Sequence, residues 1–520
     1  MPLIQLKFWS ANSYHDLKDN GFSLLVLAVP GFLVAVFLLK RFWAENRSAE
    51  QTFYNVYFHP LAKVPGPCFA KVNGSYMAPA QAMLCRAQTL LELHKRYGSV
   101  VRIGPGEVSI SDWKTYREIY SHGASTKQKD FYEATRLAGH DNVFTMIHKD
   151  AHASRRKIQE KSYSQQNILT NESLIADKAE ILTRRMAKGS QHGHSVDAFR
   201  LVGLFSLEVI LACAYNRQHG DEPTDECTTL LTAMDASAVA IITSAAVPGL
   251  KRSVGRRLPG SIGKAFRQWD SWQKITTNLL DTFQQHELAQ DKTGRFMTTP
   301  LLLSVDKHLG RKLKRDELIE ELMGLTFAGS GTTSTTLTYL LYALAKDSDR
   351  QERLREELRS SAGDSLNELQ PLPYLNAVIK ETLRLYPTIM STLPRVLNKP
   401  LVVDKHLLPV GTSVGMQNYV HHRDPNLYPQ PDEFCPERWL MDDAVKLKDM
   451  DAGLTPFSLG PYNCIGQNLA RAELYLAVGR VFRGLKLTLN ATMKDSDMEL
   501  EDRFNIAPRG RRLLFDVKIV

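Results

Sequence analysis

The stretch FSLGPYNCIGQN, residues 457–468, sets one cysteine, Cys464, between glycines and ahead of an apolar run. A cysteine so placed can be a metal ligand, a nucleophile, half of a disulfide or ordinary packing. Cys68, Cys85, Cys213, Cys227, Cys435 and Cys464 are scattered with no CxxC pair. That spacing argues against a disulfide framework or a zinc cage and suits a reducing compartment. Ile465, Leu469, Ala472, Leu476 and Gly479 share one helical face, so Cys464 stands just before a helix N-terminus. Free N–H groups and the helix dipole there favour a thiolate. Gly460 and Gly466 put no side chain beside the sulfur, so a flat ligand could approach the backbone closely. A buried structural cysteine is the plain alternative. The pattern F-x-x-G-x-x-x-C-x-G around Cys464 weighs against it.

Three further groups of residues could carry chemistry. FAGSGTTSTT, residues 327–336, interrupts a long apolar-periodic helix with two glycines and a run of Thr and Ser. Each glycine costs about 1 kcal/mol against alanine in a helix. A helix that breaks its own local rule is a candidate site, with close helix packing as the bland alternative. In LNAVIKETLRLYP, Glu381 and Arg384 lie three apart and face the same side. Such a pair is usually a weak surface bridge, but PERW at 436–439 adds Arg438 downstream. In HASRR, His152 and Arg156 stand one turn apart, and Arg395 follows the Glu381 helix in TLPRV.

The elements that must position these groups are mainly helical. The helix LLELHKRYG closes at Gly98, and VVRIGPGEVSIS alternates as a hairpin turning at GPG. From about residue 112 to 350 the pattern is nearly all helix, with breaks near His192-Gly193, Gly220 to Pro223, and Pro248 to Gly263. Short strands are expected after residue 390, in PLVVD, GTSVGM, LKLTL and RRLLFDVKIV. The reading is a mainly α fold with small β-sheets, one large domain over 68–520, although 520 residues could hold several. Hydrophobic residues at 43% and charged ones at 23% describe an ordinary globular chain. The net charge of +9 comes without a dense Lys/Arg tract, which excludes nucleic acid as the expected partner.

The N-terminal residues 1–45 read as a membrane anchor. Residues 22–39, FSLLVLAVPGFLVAVFLL, hold no charge and stop at Lys40-Arg41. As a helix they span roughly 27 Å, near the hydrocarbon thickness of a bilayer. A cleaved signal would be shorter and end at small residues. Lys40, Arg41 and Arg47 outnumber Lys7 and Lys18, which leaves the body cytoplasmic. Residues 46–67 form a proline-rich lead-in, stiff and non-helical over YFHPLAKVPGP.

These residues together resemble the haem-thiolate monooxygenases, the cytochrome P-450 superfamily, over nearly the whole chain. The lead-in is particularly similar to membrane-anchored fungal members. The resemblance implies haem b (iron protoporphyrin IX) with Cys464 as the axial thiolate, the role a cysteine plays in that family. Phe457, Gly460 and Gly466 match its haem loop. Tyr462 stands where the loop usually carries a base, and brings no positive charge. The Thr-rich segment looks like the family's oxygen-binding helix. Ala328 and Gly329 would form its groove, and Thr332 would pass protons, with Thr333 or Ser330 as neighbours. Gly331 stands at the usual acid position, so no direct carboxylate relay is expected. His152, Arg156 and Arg395 would meet the haem propionates, and Glu381, Arg384 and Arg438 would form a buried structural triad.

The function implied is insertion of one atom of O2 into a lipophilic small molecule, by hydroxylation, epoxidation or multistep oxidation, in fungal secondary metabolism. Electrons would come from an NADPH-cytochrome reductase, with cytochrome b5 as a further donor, docking on Arg155, Lys157 and Arg471. The address implied is the endoplasmic reticulum membrane, single-pass. Apolar walls are expected from 145–147, 235–250, 325–328, 390–393 and 504–506. Two alternatives stand: a haem-thiolate isomerase or dehydratase without oxygen insertion, and a non-catalytic haem-binding protein.

Overall fold

The computed structural model describes residues 49–121, 123–190, 195–246 and 250–520, so the expected anchor at 22–39 lies outside the described residues. Among the described residues, ten helices longer than ten residues build the body: α1 (Arg86–Tyr97), α2 (Lys149–Gln159), α3 (Glu172–Ser190), α4 (Ala198–Tyr215), α5 (Asp225–Ala246), α6 (Gly260–His286), α7 (Arg315–Lys346), α8 (Ser348–Ser360), α9 (Pro373–Leu385) and α10 (Gln467–Gly484). The strands between them are β1 (Val100–Gly104), β2 (Glu107–Ile110), β3 (Ser125–Lys127), β4 (Val196–Asp197), β5 (Arg395–Leu397), β6 (Ser413–Gly415), β7 (Leu485–Leu489), β8 (Leu500–Arg503), β9 (Asn505–Pro508) and β10 (Leu514–Ile519). Two more two-stranded ladders pair Val305–Asp306 with Arg311–Lys312, and Leu401–Val403 with His406–Leu408.

α7 is the axis. Leu318, Leu322, Leu325, Leu337, Leu340, Leu341 and Leu344 keep an apolar helical rhythm, and all are buried. At its start the Glu317 carboxylate accepts the Lys314 backbone N–H at 2.7 Å, satisfying an end donor and suiting the dipole. α4 lies against α7 and is apolar on nearly every side. Among the described residues it is the one helix long and apolar enough to cross a membrane, and it is mostly buried in the core. The packing is close because Gly329 has no side chain: a Cβ there would come 2.2 Å from Ile210 Cδ1.

One sheet has the order β1-β2-β6-β5-β3, parallel only between β6 and β2. A second has the order β7-β10-β4, and β8 pairs with β9 as a hairpin. The lead-in is helical as far as Phe58, further than expected, and then turns. It is fixed on the first sheet: Leu61 and Val64 are buried with Val100, Val108 and Val414. The buried Arg102 guanidinium donates to Asn55 O at 2.9 Å, Leu61 O at 3.2 Å and Pro105 O at 2.6 Å. Gly66 is obligatory, since a Cβ would meet Arg102 O at 2.3 Å.

Candidate active site

Positive φ at Ser458 (58°) and Gly460 (72°) folds the cysteine loop back on itself, and the Cys464 N–H closes it on Phe457 O at 2.8 Å. Gly460 is required by packing rather than by space beside the sulfur. A Cβ there would lie 2.6 Å from both Ser121 Cα and Tyr120 O. At Gly466 a Cβ would make ordinary contact with Cys464 Sγ and Tyr163 Cε1, both at 3.9 Å. Cys464 is accessible along one side. Protein packed around the rest of it pushes the thiol up, and the Gly466 N–H and Arg156 offset that only in part. The helix N-terminus therefore does not by itself make the thiolate expected from sequence. A bound metal cation would, because coordination deprotonates a thiol. The Arg471 guanidinium covers Phe457, 5.3 Å from the ring centroid.

Beside the loop sits a knot of cations around Tyr462. β3 pairs with β5 so that Lys127 lies directly opposite Arg395. Lys127 Nζ stands 4.6 Å from the Tyr462 ring centroid and the Arg395 guanidinium 5.6 Å. Lys127 Nζ donates to Phe144 O at 2.6 Å. Arg395 donates to the Tyr132 hydroxyl and to Leu393 O and Pro394 O. Arg156 clasps Asn463, donating to its backbone O at 2.8 Å and its Oδ1 at 2.6 Å.

The His152 ring packs 4.4 Å from that of Tyr462, but burial and the charges of Lys127, Arg156 and Arg395 hold its pKa down to about 3. In the haem-free chain His152 is therefore a neutral neighbour of these cations. Lys127, which sequence reasoning missed, is one of them. It is almost fully buried, and burial and Arg395 pull its pKa to about 7. Like charges opposite each other on neighbouring strands repel. Among the described residues, no carboxylate forms an ion pair with Lys127, Arg156 or Arg395. The cluster is built for anions supplied from elsewhere.

On α7 the small-residue segment divides its faces. Ala328 is exposed in the middle of an otherwise buried helix, while Gly331 and Thr332 are half-buried. Thr332 Oγ1 donates to Ala328 O at 2.7 Å. Ser330 is buried and spends its hydroxyl on Thr326 O at 2.7 Å, and Thr333 is buried too. Neither shares the open face with Thr332. Gly331 borders Asn505 of β9, whose Nδ2 would lie 2.7 Å from a Cβ at 331.

Glu381, Arg384 and Arg438 meet in the interior. Arg384 donates to both Glu381 oxygens, at 2.9 and 2.8 Å, and Arg438 Nε to Oε1 at 3.0 Å. Trp439 Nε1 and the Cys435 N–H complete the carboxylate's partners at 2.9 and 2.8 Å. The remaining guanidinium donors reach carbonyls of Pro429, Gln430, Pro431, His422 and Glu433. Every charge is paired and hydrogen-bonded, the condition for burying ions. Arg155, expected on the surface, is buried instead, bonded to Asp306 at 2.9 Å and Glu321 at 2.5 Å. Lys157 remains exposed. Among the expected walls, Met146, Leu325 and Met390 are buried. Thr145 is spent on its own turn, and Ser391 on Asp502 at 2.6 Å.

The family model for cytochrome P-450 matches residues 74–515. The chain belongs to the cytochrome P-450 family. Among curated relatives, the cytochrome P-450 monooxygenase aflU of Aspergillus parasiticus is 29% identical over 475 residues, 88% of this chain and 94% of that one. The monooxygenase TRI4 of Fusarium sporotrichioides is 30% identical over 86% of this chain and 88% of its own. The tryptophan 6-hydroxylase fscE of Fusarium equiseti is 27% identical over 93% and 96%. A retinoic acid-bound cyanobacterial cytochrome P-450 shares the fold, with a TM-score of 0.71 and 21% identity, covering 88% of this chain and 99% of its own. The chain is thus a P-450 monooxygenase, mostly helical with small sheets, and the family carries haem held by a cysteine thiolate. The residues present fit that group: an accessible cysteine in the matching loop and unneutralised cations beside it for two carboxylates.

Proposed function

We propose that this P-450 inserts one oxygen atom into a lipophilic small molecule of fungal secondary metabolism, on a membrane and with electrons from a separate NADPH-dependent reductase. The observation that carries this reading is the combination of an accessible Cys464 with cations that no carboxylate pairs, in a chain whose α7 presents Ala328, Gly331 and Thr332 on an open face. Haem, when bound, supplies the activation of dioxygen. Cys464 would hold its iron, and Lys127, Arg395 and Arg156 its carboxylates. The Tyr462 ring faces Lys127 and Arg395, and a half-buried tyrosine hydroxyl can add one hydrogen bond. Thr332 Oγ1 is the polar atom of the open face. Its hydrogen engages Ala328 O, and its lone pairs remain to accept a hydrogen bond from water. Overall, O2 and two electrons with two protons give one inserted oxygen and one water.

Buried Met146, Leu325 and Met390 support an apolar substrate over an anionic one. Exposed Lys157 and half-exposed Arg471 remain as basic docking residues for an acidic reductase face, without Arg155. Membrane attachment rests on the uncharged run 22–39 and on exposed Phe53, Tyr57 and Phe58 shortly after it.

Expression in microsomes with a reductase, followed by product analysis of a lipid-extract library, tests the reading. Oxygenated products that require NADPH are expected. Cys464→Ala should abolish them together with the red-shifted Soret band of the reduced carbon monoxide complex. An unchanged band in that variant would remove Cys464 as ligand. Gly331 at the acid position favours one second reading, a rearranging isomerase or dehydratase. Turnover without reductase and O2 would select it.

A further inference from the structure

The missing acid on α7 leaves a gap in the chain of proton donors, and a residue far away in sequence occupies it. Asn505 opens β9 directly after Phe504, which turns the β8–β9 hairpin with φ of 79°. The hairpin is held against the core: the Ile506 N–H donates to Thr388 O at 2.8 Å, Asn505 bridges to Ile389, and Thr335 Oγ1 reaches Ile506 O at 3.3 Å. This brings the Asn505 side chain to the notch of Gly331. Its Nδ2 would lie 2.7 Å, and its Cγ 4.0 Å, from a Cβ at that position. Its Oδ1 is buried without a hydrogen-bond partner among the described residues. A buried carboxamide oxygen left unpaired costs free energy, and a hydrogen-bond donor such as a water would offset that cost.

We propose that Asn505 is a positioning residue for proton delivery, holding with its carboxamide the water that serves Thr332, in the space an acid at 331 would fill. The inference rests on the proposed role of Thr332 and deepens it. Thr332 gives its hydrogen to Ala328 O. It can pass a proton onward only if a donor replaces it at Oγ1. Water bound at Asn505 Oδ1 is such a donor, and an amide offers both a donor and an acceptor to orient it. The amide neither gains nor loses a net proton, so the protons come from solvent. The amide and an acidic side chain at 331 exclude each other. Even the Cβ of Asp at 331 would stand within contact distance of Nδ2. A carboxamide does not titrate between pH 5 and 9, so delivery through it has no carboxylate limb in its pH profile.

The test uses the holoenzyme with reductase and NADPH and no organic substrate. Electrons then leave as hydrogen peroxide (one NADPH and one proton per O2) or as two waters (two NADPH and two protons). Poor proton delivery raises the peroxide share. Asn505→Ala is expected to raise it at least about twofold, as Thr332→Ala should. Asn505→Gly combined with Gly331→Asp should return it toward the parent value and introduce an acid limb in its pH profile. Asn505→Asp, which keeps the shape, should introduce the same limb. An unchanged peroxide share in Asn505→Ala beside a raised one in Thr332→Ala overturns the assignment of Asn505 alone. No change in either variant overturns the Thr332 relay with it. A second readout needs no turnover. Gly331→Ala should lower the melting temperature of the holoprotein, and Asn505→Gly should relieve that loss. Strictly additive losses would mean that the amide does not occupy the notch, and overturn the proposal.

Discussion

Lys127 and Arg395 face each other across β3 and β5 with no carboxylate between them, and the cost of that arrangement sets a measurable pH dependence. Burial and Arg395, with a smaller push from Arg156 and a counter-pull from Asp141, bring Lys127 from 10.5 to about 7 in the folded chain. Unfolded, it keeps its ordinary value. Between about pH 7 and 10 the unfolded chain then holds more protons, so the stability of haem-free protein should rise with pH in that window. The urea midpoint should climb accordingly, and Lys127→Met should flatten the climb. Haem carboxylates would restore the lysine's charge, so haem binding above pH 7 should take up close to one proton. Calorimetry in two buffers of different ionisation enthalpy measures it. Lys127→Met should remove the uptake and loosen haem. Lys127 was not legible in ASTKQKD, because a three-residue strand carries no measurable period and Lys129 beside it looks the same. His152 was legible as a site residue but not in its charge, which depends on three cations brought in from other elements.

At the scale of elements, Glu381 joins α9 to the segment around Arg438 that precedes the cysteine loop. Glu381→Ala would leave two buried guanidiniums, the Trp439 indole N–H and the Cys435 N–H without their acceptor. The expected loss is about 3–5 kcal/mol, read as a lower urea midpoint with early release of haem. Arg384→Lys should cost a smaller part of that, since an ammonium cannot serve both carboxylate oxygens and three carbonyls. The triad was readable because two members share a helix at i,i+3 and the third sits in PERW. Strands β5, β8 and β9 were not read, being three or four residues long and bordered by Pro394 or the Phe504 turn. The contact between Asn505 and Gly331 joins a hairpin to the middle of α7 and leaves no local trace. The substitution of glycine for acid was visible, but what fills the space was not.

For the whole molecule, the proposed attachment to a membrane should depend on two parts, the run 22–39 and the aromatic residues after it. Phe53, Tyr57 and Phe58 are 57%, 66% and 67% exposed, and their rings pack at 5.0 and 5.6 Å on Phe53. Chain lacking residues 1–45 should sediment with lipid vesicles weakly, and replacing all three aromatics by serine in that shortened chain should abolish sedimentation. Sedimentation unchanged by the serines would place the second contact elsewhere. The mainly α class was legible from helical periodicity over 112–350. The packing of the lead-in was not, because it depends on Arg102 reaching back to Asn55 and Leu61.

The apolar helix α4 also bears on how the chain is made. Its packing partner α7 begins a hundred residues after Tyr215, so at ~5–20 residues per second it emerges roughly 5–20 s later. Synthesised beside a membrane, α4 could be taken by the insertion machinery before it finds its place. Glu208 near its middle opposes this: a charged side chain at mid-span costs about 3 kcal/mol on the insertion scale. In the folded chain the same carboxylate is held by Arg185 of α3, at 2.9 Å. Arg185 is already synthesised when α4 appears. One carboxylate therefore both ties α4 to α3 in the fold and keeps the helix out of the bilayer, and Glu208→Leu should send part of the nascent chain the wrong way.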